Sequence, residues 1–156
     1  MSDFTIKDVV KALDVDRGRF ADWISRKYIK ASIPSGGQGR ASLFTRYDII
    51  LAGLFKKLVE YGFDRDKSAE AVADLTIRGY NVDKISWASF GIISDKKEPK
   101  GYHLYSWYSY DPPDTGDLRG HPDKKEVTFT MDNLDIMLLV NFRKIRNEID
   151  GRLAKL

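Results

Sequence analysis

Two short helical patterns lie back to back between Thr5 and Lys27, with room for only a tight turn between them. A glycine-rich tip between β-branched patches follows directly. In the first pattern Ile6, Val9, Val10 and Leu13 recur at helical spacing. Thr5 can cap that helix, and Asp8, three residues on, can complete a short-sided capping box. Val15 sits in the turn, and Asp16 is a natural N-cap for a second helix running to about Lys27. Phe20, Trp23 and Ile24 share one face of it and belong to the core. Gly18 in its first turn costs about 1 kcal/mol relative to alanine, which points to a close approach or an irregular first turn. Past Tyr28 the marks are Ile29, Ile33 and Leu43, on either side of Pro34-Ser35-Gly36-Gly37-Gln38-Gly39-Arg40. Two short strands around a flexible tip are the simplest reading.

Downstream, Ile49, Ala52, Phe55 and Leu58 predict a third helix from Asp48 to about Tyr61, opened by Thr45 and closed by Gly62. A fourth starts at Asp64 or Asp66, carries Ala69, Val72 and Leu75, and ends near Gly79. The pattern then changes. Ile85 to Ile93 and Tyr102 to Tyr110 are aromatic and β-branched around a polar turn at Lys96 to Gly101, and read as an antiparallel hairpin. Asp111 to Asp123 reads as a loop, and Glu126 to Met131 alternates like a third strand. Asp132 to Leu156 reads as one long helix.

Charge and residue usage narrow the function. Net charge is +3, but residues 1–60 hold eleven Lys and Arg against seven Asp and Glu, while the remainder is close to balanced. The positive excess therefore sits where the paired helices are. The absence of cysteine excludes a disulfide framework, a thiolate zinc site, a cysteine nucleophile and redox sensing through cysteine. The longest apolar run, Ile49 to Phe55, is far too short for a membrane span. The first residues carry Asp3 and no apolar signal core, so a cytoplasmic location is expected, with no membrane contact. His103 and His121 each lack a partner at ligand spacing, and the Asp111, Asp114, Asp117 run lacks the glycine and terminal glutamate of a calcium loop. Gly39-Arg40-Ala41-Ser42 does not fit a phosphate loop. With no nucleophile, base and orienter set, the chain reads as a non-enzyme with no catalytic residue, metal or cofactor.

Helix, tight turn, helix and glycine-tipped hairpin form a device that reads DNA. The second helix can lie in the major groove, and the hairpin, or wing, can follow the backbone beside it. Phosphate contacts position such a protein, and side chains at base edges give specificity. The candidate contacts are Arg17, Arg19, Arg26, Lys27, Lys30 and Arg40. Arg17 and Arg19 lie at the N-terminal end of the second helix, and arginine is the usual reader of guanine.

From Phe4 to Phe63 the chain resembles the DNA-binding domain of MerR-like transcriptional regulators. The resemblance rests on the helix from Thr5, on Val15 before a capped helix containing Phe20 and Trp23, and on Tyr28-Ile29 entering the wing. It continues through Phe44-Thr45-Arg46-Tyr47-Asp48, Phe55, Leu58 and Gly62-Phe63. Two positions where the family commonly has arginine hold Ala21 and Ser42, which moves the expected contacts to Arg17, Arg19 and Arg40. The resemblance implies a regulator that binds double-stranded DNA as a homodimer through a helix after the DNA-binding domain. Leu138, Ile145 and Arg152 would form one row of that seam, and Phe142, Ile149 and Leu156 the other. The alternative is that the helix covers its own chain.

The expected architecture is α+β: a winged helix-turn-helix over 1–80, then antiparallel strands and an amphipathic helix over 81–156 serving dimerisation or an effector. Trp87, Phe90, Tyr102, Tyr105, Trp107, Tyr108 and Tyr110 concentrate aromatic rings in the hairpin. Sheet packing accounts for them, and a small-molecule effector pocket or protein-binding face is the sharper alternative. Two further readings use the same fold. One is an architectural protein of phages or mobile elements, excisionase-like or a packaging subunit. The other is a winged interaction domain without DNA binding.

Overall fold

The computed structural model describes residues 3–36, 41–110 and 135–156. Among these the fold is α+β, with five helices and one three-stranded antiparallel sheet: α1 (Ile6–Leu13), α2 (Arg17–Ser25), α3 (Arg46–Glu60), α4 (Arg65–Ile77), β1 (Trp87–Ser94), β2 (Tyr102–Ser109), β3 (Ile136–Asn141) and α5 (Phe142–Leu153). The chain divides into two compact units, Met1–Val72 with Lys144–Leu156, and Ala73–Arg143. The sequence suggests a single cut after residue 80, with the last helix in the second part. Instead most of α5 belongs with the N-terminal helices.

Local chemistry sets the helix boundaries of the first unit. The Thr5 hydroxyl accepts from the Asp8 N–H and the Asp8 carboxylate accepts from the Thr5 N–H, closing a capping box on α1. Asp16 Oδ1 accepts from the N–H groups of Gly18 and Arg19 and starts α2. Thr45 and Asp48 repeat the capping box on α3. Gly62, at φ +90°, ends that helix in the left-handed conformation that glycine adopts without strain.

Tertiary contacts then lock the C-terminal end of α1. Its last carbonyls receive two cations: Lys56 Nζ donates to Leu13 O at 2.8 Å, and Arg152 Nη1 donates to Ala12 O at 3.0 Å. Positive charge there also complements the helix dipole. Arg46 forms a two-pronged pair with Asp150, at 2.6 Å and 2.8 Å, tying α5 to the start of α3. Ile145 and Ile149 are buried against Gly53 in the middle of α3.

The C-terminal segment departs from the sequence expectation. Ile136–Asn141 is a strand, and the helix begins only at Phe142. The run Ile136-Met137-Leu138-Leu139-Val140 satisfies helix and strand periods alike. Pairing with β1, Val140 opposite Ala88 and Met137 opposite Gly91, decides for the strand. The proposed dimer seam therefore does not form as one helix. Leu138 lies on β3, Leu156 lies beyond α5, Ile145 and Ile149 are buried within their own unit, and Arg152 is bonded to α1. The strand expected at Glu126 to Met131 and the loop at Asp111 to Asp123 lie outside the described residues.

In the second unit the sheet order is β2-β1-β3. Alternation sorts the hairpin aromatics onto two faces. Phe90 and Tyr108 are buried on one face with Ala88, Ser106 and Val140, and burial pushes the Tyr108 phenol far above its ordinary range. Trp87, Tyr105 and Trp107 lie half-buried on the other face. Tyr80 packs edge-on against Tyr108, with ring centres 5.2 Å apart.

Candidate nucleic-acid interface

The second helix of the N-terminal pair is built to hold one side still and leave the other open. Phe20 and Trp23 are fully buried, and their rings meet at 6.2 Å. Phe20 packs on Phe44 at 5.5 Å, and Trp23 meets Phe55 edge-on at 5.1 Å. Tyr28, just past the helix, stacks on Phe55 at 5.6 Å. Such rings contribute area burial and a further ~1 kcal/mol per well-oriented pair. They fix the rotation of α2 about its axis and so fix which residues face solvent.

The open side carries the predicted cations. Arg17, Arg19, Arg26, Lys27 and Lys30 are all exposed. Arg17 and Arg19 are two residues apart, so at about 100° per residue they leave the helix on opposite flanks of its open face. Ala21, Asp22 and Ser25 lie between those flanks. Among the described residues Arg17, Arg19, Lys27 and Lys30 form no ion pair. Arg40 and the rest of the tip, Gly37 to Gly39, lie outside the described residues.

Arg26 differs from that group. Its Nε donates to Asp22 Oδ1 at 2.8 Å, one helical turn back. That bond to Asp22, and a second with the Tyr28 side chain, raise its already high pKa. Arg65, at the start of α4, approaches the other Asp22 oxygen at 3.6 Å. Asp22 is the one acidic group on the exposed stretch of α2, and two cations offset it. Sequence reasoning misses Arg65 because nothing local links it to Asp22. The Arg26 pair is legible, since an acid and a base four residues apart on a helix meet.

The segment that follows α2 is held by backbone bridges. Ile33 and Leu43 exchange both backbone hydrogen bonds, at 3.2 Å and 2.9 Å, and Phe44 does the same with Phe4, at 2.9 Å and 2.8 Å. The sequence leads one to expect two short strands here; among the described residues these are isolated bridges. Asp48, 7% exposed, is the hub. Its Oδ2 accepts from the N–H groups of Thr45 and Ser32, and its Oδ1 accepts from the Ser32 hydroxyl at 2.7 Å. One carboxylate thus caps α3 and pins the chain at Ser32, beside the Ile33–Leu43 bridge. The cap is readable from Thr45 and Asp48, whereas the link to Ser32 is not.

Lys27 ends α2 at φ +63°, a left-handed conformation that a lysine adopts only under strain. Its N–H bonds Ile24 O and the next N–H bonds Trp23 O. The strained turn directs the chain from the helix toward Ile33.

Among the described residues no group of three acidic or histidine side chains is arranged to hold a metal ion. Nor is any helix there long and apolar enough to cross a membrane. A scan against protein-family models finds no match, and a search of curated proteins finds none.

Proposed function

We propose that the chain is a sequence-specific DNA-binding regulator whose N-terminal unit acts as a winged helix-turn-helix. In this reading α2 enters the major groove, and the hairpin based on Ile33 and Leu43 follows the phosphate backbone. The observation that carries it is the two-sided character of α2. One side is clamped by Phe20, Trp23, Phe44 and Phe55, and the other presents Arg17 and Arg19 unpaired among the described residues. Arg17 and Arg19, on opposite flanks, address the base edges on either side of the helix axis. Lys27 and Lys30, beyond its C-terminal end, take phosphates. Arg26 stays with Asp22 and contributes less than the sequence suggests.

Selection of bound sequences from a random duplex pool, followed by affinity measured against salt, tests the proposal. Binding should weaken steeply as salt rises, because each phosphate contact releases counterions. Replacing Arg17 and Arg19 together by alanine should relax sequence preference, at about 1–3 kcal/mol for each arginine that reads a base edge. Lys30→Ala should weaken all duplexes alike and lower the salt slope by about one unit. A folded protein that binds no duplex would replace this reading with that of an interaction domain. A two-fold symmetric selected site would add pairing of two copies. Pairing through α5 would have to use its exposed side, since Ile145 and Ile149 are buried.

A further inference from the structure

The β1–β2 hairpin closes through a turn with an unusual arrangement at its neck. The Asp95 N–H donates to Gly101 O at 2.9 Å, the Glu98 N–H to Asp95 O at 3.1 Å and the Gly101 N–H to Glu98 O at 2.9 Å. The Lys97 N–H donates to Asp95 Oδ1 at 2.9 Å. The other Asp95 oxygen, Oδ2, lies 3.0 Å from Nε2 of His103, the second residue of β2. On the opposite side of the same ring, Nδ1 lies 3.6 Å from Glu98 Oε1. Both nitrogens of one imidazole thus face carboxylate oxygens supplied by one turn.

A neutral imidazole has a single N–H. With it donated to Asp95, the lone pair on Nδ1 points toward Glu98, and the two repel. An imidazolium has two N–H groups and attracts both acids. Asp95 stays ionised throughout, because the Lys97 N–H and then His103 hold its carboxyl below the ordinary range. We propose that His103 is a proton-operated clasp. Its protonated form bridges Asp95 and Glu98 and tightens the hairpin turn, and its neutral form lets the Glu98 arm go.

Other charged and titratable groups stand near the ring. Lys96, Lys97 and Lys100 belong to the same turn. Asp135, at the foot of β3, accepts the Ser94 N–H, and this bond lowers its pKa. Across the ladder His103 faces Ile93, and along β2 its ring lies 5.9 Å from that of Tyr105. Histidine is the side chain whose ordinary charge change falls between about pH 5 and pH 8.

The test is amide hydrogen exchange followed by NMR in a His121→Asn background, where His103 is the one remaining imidazole. Protection of the Asp95 and Gly101 amides, each taken relative to its intrinsic rate at that pH, is followed beside the His103 ring signal. The clasp requires protection about two- to five-fold higher on the acidic side, as for an exposed ion pair, with the midpoint of the ring titration. Glu98→Gln should leave a smaller pH response, carried by the Asp95 arm alone. His103→Gln should give the low protection at every pH. Turn protection that ignores the ring titration, or a Glu98→Gln protein that responds like the parent, overturns the proposal.

Discussion

Gly53 is where three helices of the first unit meet, and it offers a quantitative check on their packing. A Cβ built at this position would stand 2.5 Å from Ile149 Cδ1, 3.3 Å from Ile145 Cγ2 and 3.5 Å from Leu13 Cδ2. In an open helix, Gly53→Ala would stabilise by about 1 kcal/mol through propensity alone. Here the first approach is far too close, and over-packing opposes the gain by about 1–3 kcal/mol. The single variant should therefore range from neutral to about 2 kcal/mol less stable. Ile149→Val removes the offending Cδ1 and should cost about 0.5–1.5 kcal/mol by itself. Combined, the two changes relieve each other. With Cδ1 gone, the next atom, at 3.3 Å, needs to give only a few tenths of an ångström. The propensity gain returns, and the double variant should lie within about 0.5 kcal/mol of the parent, with a favourable coupling of about 1–3 kcal/mol. Urea unfolding followed by Trp23 fluorescence, with Trp87 and Trp107 replaced by phenylalanine, reports on this unit because the chain has three tryptophans. A Gly53→Ala protein more stable than the parent, or single effects that add within about 0.3 kcal/mol, would refute the packing argument.

Other perturbations read different parts of the molecule. Lys27→Gly relieves the left-handed strain at the end of α2 and should stabilise by about 0.5–1 kcal/mol, yet weaken duplex binding and flatten its salt dependence by about one charge. Thermal unfolding and binding titrations should thus move in opposite directions. Asp48→Ala removes the acceptor for Thr45 and Ser32 and should cost about 2–4 kcal/mol in urea unfolding, since those bonds are partly buried and charge-assisted. The Arg46–Asp150 pair is about a third exposed on each side, so a double-mutant cycle should return no more than about 1 kcal/mol despite its two-pronged geometry. The Thr5 hydroxyl and then the Thr5 N–H hold the Asp8 carboxyl below its ordinary value of 3.8. Its contribution is thus present above that value and lost as pH falls through the lower folded value. Asp8→Asn should be less stable than the parent near neutral pH, with the gap closing in acid when urea midpoints are compared.

Features decided within three or four residues were legible in the sequence. Thr5 with Asp8, Asp16 before Gly18, and Thr45 with Asp48 announce helix starts because a cap is a bond between near neighbours. Aromatic alternation announced β1 and β2 within about two residues of their ends. The exposure of Arg17 and Arg19 followed from placing Phe20 and Trp23 in the core. Three outcomes needed the folded chain. Asp22 serves Arg26 and Arg65 together, Asp48 reaches back to Ser32, and Gly53 makes room for Ile145 and Ile149.

The largest departure came at residues 136–141, and its cause is general. A run of five apolar residues carries no period of its own, so the same side chains suit a helix or a strand. Only the partner, β1, more than forty residues earlier, supplied the hydrogen bonds that made it a strand. That pairing shortened α5, and Ile145 and Ile149 of its apolar stripe pack within the N-terminal unit. The amino-acid order thus determined where α1, α2 and α3 start and which cations α2 presents. Tertiary structure decided which distant groups neutralise, pin or cover them, because those interactions join residues whose spacing leaves no periodic trace.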